Sequence, residues 1–114
     1  MGYVSEYPRL VFGKEVEEII KKAAAEKWID NINKRLREMA LRAEDCDLAG
    51  ALQVAGEAYV FFKDLRRWLW SKAAEWERIE FEEYYKAVNE LEKAYKSAIE
   101  DVARRFGKCV FRKP

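Results

Sequence analysis

The stretch Asp47–Ile79, DLAGALQVAGEAYVFFKDLRRWLWSKAAEWERI, decides the fold. Leu48, Leu52, Ala55, Tyr59, Phe62, Arg66, Leu69, Ala73 and Trp76 follow an unbroken four-three spacing, which keeps them on one face of a helix. Eight of these nine are apolar; the ninth is an arginine. Phe61, Leu65, Trp68 and Trp70 widen the apolar arc beyond a two-helix seam. The pattern predicts a long central helix on which the others pack, with apolar surface left over.

Around it, 114 residues suffice for one domain, 1–114, with a real core. Half the residues are apolar and 38% are charged, a globular balance rather than a disordered one. No apolar run approaches the ~20 residues of a membrane span. No charged-then-apolar leader opens the sequence, so the expected location is cytoplasmic, with no membrane partner. There is no His and no Thr, Asn and Gln are scarce, and Glu, Lys and Arg abound. That balance is thermophile-like, favouring ion-pair networks over labile amides. Cys46 and Cys109 are either two free thiols, the default in an ordinary cytosol, or a disulfide of the kind hyperthermophile proteins carry. Two cysteines without a histidine make a poor metal site, so no metal and no cofactor are expected.

Upstream, Pro8 disfavours helix at Tyr7, and Arg9–Phe12 is β-type, closed by Gly13. Lys14–Glu44 is helical, but its apolar face turns midway. Val16, Ile19, Ile20 and Ala23 share one face; Trp28, Ile29, Ile32, Leu36, Met39 and Ala43 lie nearly opposite. Such a helix either kinks near Ala24–Lys27 or packs its first turns on the termini or a partner. Glu44–Asp47 is a turn, and Asp45 or Asp47 can cap the next helix.

Downstream, the central helix is expected to break within Glu77–Glu82. A third helix runs from about Phe81 to Phe106 with Tyr84, Val88, Leu91, Tyr95, Ala98 and Val102 on one face. Its spacing offers the pairs Glu82–Lys86, Glu92–Lys96 and Glu100–Arg104. Gly107 is expected to stop it, leaving Cys109–Phe111 extended. The expectation is thus all-α: an antiparallel three-helix bundle, the first helix kinked or continuous, with short extended segments at both ends that pair as a ribbon or add to a neighbour's edge.

Charge is unevenly spread although the net is only +1. Lys34, Arg35, Arg37 and Arg42 stand against Glu38; Lys63, Arg66, Arg67 and Lys72 stand against Asp64; Arg104 and Arg105 open a tail without acids. Such base-rich segments with aromatics nearby suit a nucleic-acid backbone, and a solvated helix face is the bland alternative. The candidate phosphate contacts are Lys34, Arg35, Arg42, Lys63, Arg66, Arg67, Arg104 and Arg105. Arg66, in the seam itself, either snorkels, pairs with a carboxylate of another helix, or serves a phosphate. Phe61 and Trp68, near the rim of the aromatic arc, and Trp70 beside them form a candidate protein interface.

No catalytic residue stands out. Glu15-x-x-Glu18 and Glu44-x-x-Asp47 superficially resemble the paired carboxylates of all-helical nucleotide pyrophosphatases, but the second pair falls in a turn where capping explains it. Without His, a Gly-rich phosphate loop or a nucleophile-base pair, the expectation is a non-enzyme.

In length, helix pattern, basic strips and thermophile-like composition the chain resembles the small α-helical subunits of archaeal CRISPR interference complexes, particularly the Csa-type subunit of type I-A Cascade. The likeness spans the chain and rests on no short motif. It implies a role in antiviral defence, stacked in several copies along DNA or RNA, single-stranded or in an RNA–DNA hybrid. Lys34, Arg35, Arg66, Arg67 and Arg104 would then face the backbone, and Phe61 or Trp68 a neighbouring subunit. A helical capsid or nucleoprotein of an archaeal virus, and a protein–protein adaptor without a nucleic-acid role, are the alternatives.

Overall fold

The computed structural model describes residues 7–75 and 78–112. Its described part is all-helical: α1 (Lys14–Lys22), α2 (Glu26–Glu44), α3 (Leu48–Glu75) and α4 (Arg78–Arg112). The expected three helices are therefore four, because the first breaks completely. The break is a Schellman turn. Ala24 N–H donates to Lys21 O and Ala25 N–H to Ile20 O, both at 3.0 Å, around Ala24 in the left-handed region (φ 56°). An alanine there costs roughly 1–2 kcal/mol. What offsets it is burial. The turn re-aims the chain so that Val16, Ile19 and Ile20 of α1 and Ile32, Leu36 and Met39 of α2 all enter one core. The two opposed stripes of the sequence need this change of direction.

The second turn repeats the device, with Cys46 at φ 59° and Asp47 N–H donating to Arg42 O over 2.9 Å. Asp47 then caps α3, its Oδ1 accepting from Gly50 N–H at 2.9 Å. A Cβ on Gly50 would meet that carboxylate at 2.1 Å, so glycine is what lets the cap close. The Gly50 amide and then Arg42 hold the Asp47 carboxyl below its ordinary range.

α2 and α3 run antiparallel, as the pairs Arg35–Glu57 and Trp28–Trp68 require. α3 and α4 do the same through Phe62–Tyr95, Arg66–Glu92 and Trp70–Tyr85. α2 also packs on α4, and α1 lies on α4 with Lys86 bonded to Glu15 at 2.7 Å. The result is long and thin, 59 × 32 × 19 Å. Among the described residues no helix is long and apolar enough to cross a membrane.

Several local expectations are corrected. α4 passes straight through Gly107 to Arg112, so Cys109–Phe111 is helical and no ribbon joins the two ends among the described residues. Gly107 lacks a positive φ, and Cys109 is tied by a disulfide to Cys46, which fastens the end of α4 to the α2–α3 turn. The N-terminal segment docks without strand pairing: Pro8 and Leu10 are buried, and Leu10 N–H donates to Asn33 Oδ1 at 2.8 Å. α3 is described to Glu75 and α4 from Arg78, and the start of the expected window at Glu77 lies outside the described residues. Trp76 lies outside the described residues. Lys86 and Glu92, which spacing pairs within α4, bridge instead to Glu15 and Arg66 on other helices.

Candidate nucleic-acid interface

The buried stripe of α3 is not the one its spacing suggests. Ala51, Val54, Ala58, Phe62, Leu65, Leu69 and Ala73 are buried, while Leu48, Leu52 and Tyr59 of the expected seam are exposed. In its first half α3 therefore presents its alanine-rich side to α2 and α4. Small side chains let the helix axes approach, and the larger residues of α2 fill the remaining space. The rotation also moves Phe61 and Trp68 from the expected rim to the α2 flank. Trp68 Nε1–H donates to Ala23 O at 2.8 Å, and its ring meets Trp28 at 5.6 Å. Phe61 lies under the Arg35 guanidinium at 4.4 Å. Trp70 packs against Phe81 and Tyr85 of α4. All three candidate interface residues are half-buried and engaged within the chain.

Most of the candidate phosphate contacts are also engaged. Arg35 pairs with Glu57 at 3.3 Å and Arg66 with Glu92 at 3.2 Å. Arg42 is held between Asp47 and Glu38, which raise its pKa further. Arg104 lies 3.9 Å from Asp101; Arg105 pairs with Glu44 and reaches Asp101 at 3.5 Å. Lys63 sits over the Tyr59 ring at 5.7 Å. Lys34 and Arg67 are exposed and meet no carboxylate among the described residues. The seam arginine thus finds its carboxylate on the neighbouring helix. A phosphate approaching Arg66 also meets Glu92, whose charge opposes it.

The structure gathers a different basic group. A shallow groove of about 560 Å³ between the N-terminal segment and α2 is lined by Tyr7, Pro8, Arg9, Asp30, Asn33, Lys34 and Arg37. Arg9 and Arg37 meet no carboxylate among the described residues, and Arg37 lies over the Tyr7 ring at 5.0 Å. A second groove on the other side of Tyr7–Arg9 reaches Ser97, Asp101 and Arg104 on α4. Tyr7 and Arg9 are invisible to periodicity, which says nothing about where a non-helical segment docks. Their one sequence cue is Pro8, which holds the segment extended.

Carboxylates do not converge. Glu15 pairs with Lys86, Glu44 with Arg105, and Asp47 caps α3. No group of three metal-ligating side chains gathers among the described residues. Comparison with protein-family models, curated proteins and solved structures gives no match.

Proposed function

We propose that the chain is a non-catalytic helical subunit of a multi-copy nucleoprotein assembly. It would hold a nucleic-acid backbone without reading sequence, in the manner of the CRISPR small subunits it resembles. The observation that carries this reading is the groove beside Tyr7, where Arg9, Lys34 and Arg37 stand against the single carboxylate of Asp30. Its open shape suits an extended strand rather than an enclosed small molecule. Phosphates fit its three bases, and the Tyr7 ring beneath Arg37 lines the groove beside them.

The test is binding of a labelled single-stranded oligonucleotide at low salt, followed through a salt titration. Three phosphate contacts give a logarithmic salt slope of about −2 for a single strand. Lys34→Glu with Arg37→Glu should abolish binding while leaving helicity intact. No binding at low salt sinks the proposal, and competition among DNA, RNA and hybrid identifies the ligand.

A second reading has its own support. Arg35, Arg42, Arg66, Arg104 and Arg105 are already paired within the chain, and α3 exposes apolar residues. Those features suit a protein–protein adaptor, for which the same titration gives no retention at any salt.

A further inference from the structure

The segment Tyr7–Phe12 reaches the groove without belonging to any helix. Its side chains alternate. Pro8 and Leu10 are buried, Arg9 and Val11 are exposed, and Phe12 is half-buried against the core. That is the two-residue period of extended backbone. It puts Arg9 on the outer side of the segment, where it borders the hollows on both flanks. One is the groove of Lys34 and Arg37; the other reaches Ser97 and Arg104. α2 itself carries Lys34 and Arg37, so their place is set by the helix. The place of Arg9 is set by how the segment docks.

One polar contact fixes which residue of the segment faces outward. Asn33 Oδ1 accepts from Leu10 N–H at 2.8 Å. Asn33 is half-buried on α2, beside Lys34 and one turn before Arg37. A slip of one residue along the groove would turn Arg9 inward and Leu10 outward. A slip of two that put Pro8 opposite Asn33 would offer the amide oxygen no N–H. The burial of Leu10 and the Asn33 bond therefore agree on one register, and it is the register that presents Arg9.

We infer that Asn33 is a positioning residue of the nucleic-acid site: its side-chain amide holds Tyr7–Phe12 in the register that sets Arg9 beside Lys34 and Arg37, so the site is complete only while the segment is docked. This rests on the nucleic-acid reading and adds how the site is assembled. Docking and binding are then linked. A backbone gripped by Arg9 from the segment and by Lys34 and Arg37 from α2 ties the two together, and so favours the docked form.

Two measurements on the full chain separate docking from binding. Trypsin cleaves after Arg9, and the nitrogen of that scissile bond is the Leu10 N–H held by Asn33. Cutting there needs the segment to leave the groove. Asn33→Ala should speed this cut, followed by mass, roughly tenfold, as expected for one lost hydrogen bond. The labelled single-stranded oligonucleotide should slow it in the native chain. In the salt titration Asn33→Ala should make the slope shallower by about 0.7, the share of one phosphate contact, as Arg9→Ala does. Combining the two should lose nothing more. Leu10→Ala, outside the helices, should reproduce both effects from the segment's side. A role in stability alone lowers the melting temperature and leaves the slope at its native value. A native slope in variants whose segment is freed for cleavage overturns the positioning role and leaves the nucleic-acid reading standing. Cleavage as slow as in the native chain in both variants does the same. A native chain that binds no oligonucleotide at low salt overturns the nucleic-acid reading and this inference with it.

Discussion

The indole Nε1–H of Trp68 donates to the carbonyl of Ala23 over 2.8 Å, linking the middle of α3 to the corner where α1 gives way to α2. Ala23 is almost fully buried, so without Trp68 its carbonyl would have no water in reach. The residue that the aromatic pattern offers to a partner instead holds the fold's sharpest turn.

Trp68→Phe keeps most of the ring and removes that bond. It should cost about 1–3 kcal/mol, the price of an orphaned buried acceptor. Ala24→Gly should act in the opposite direction, by about 1 kcal/mol, because the left-handed residue of the same turn no longer strains a Cβ. Urea unfolding of both variants checks the pair. A neutral Trp68→Phe would show that the corner stands without the indole.

The Asp47 cap carries a pH signature. Its carboxyl is held below the ordinary value by the Gly50 amide first and by Arg42 second. A depressed folded pKa means the cap's contribution is fully present above the unfolded value of 3.8 and is lost as pH falls through the folded one. The stability gap between the native chain and Asp47→Ala should therefore be constant near neutrality and close below about pH 4. Thermal melts across that range measure it. A gap unchanged in acid would mean that the charge of the cap contributes nothing.

Cys46 and Cys109 close a loop with a sequence separation of 63 residues. On chain-entropy grounds, opening it should cost roughly 4 kcal/mol of stability. Cys109 Sγ lies 3.4 Å from Ala43 O, so a reduced thiol has an acceptor at hand and the end of α4 can stay docked. The expected result is a lower melting temperature in reductant with nearly unchanged helicity. Equal melting with and without reductant would remove the disulfide from the stability account.

Arg66 and Glu92 are 46% and 43% exposed, so their pair should contribute no more than about 1 kcal/mol by double-mutant cycle. Glu92→Gln should then free Arg66. If the chain binds nucleic acid along this flank, affinity should rise and the salt slope steepen by about 0.7 for one added contact. An unchanged slope would confine binding to the groove beside Tyr7.

Lys14–Glu44 shows how far the sequence alone reaches. Its two opposed stripes left open a kink near Ala24–Lys27 or separate packing of the first turns, and the chain turns at Ala24. They did not require a separate helix, because an alanine run is the best helix former and conceals the left-handed residue that ends α1. Gly107 misled in the other direction. Glycine often follows a helix, but here the helix continues toward the disulfide and Arg112.

What the sequence determined by itself is the helical class, the approximate extent of α3 and a capping aspartate at 45 or 47. All three depend on spacing along the chain or on groups within one turn of each other. Tertiary structure alone decided which side of Asp47–Ile79 faces inward. That stretch is apolar nearly all round its first half, so periodicity leaves its rotation open. Contact with α2 and α4 chose the alanine side, drew Phe61 and Trp68 inward, and left Leu48, Leu52 and Tyr59 outside. Tertiary structure likewise decided the fate of the bases. Whether an arginine meets a carboxylate from another helix or stands free in a groove depends on distances that no single helix contains.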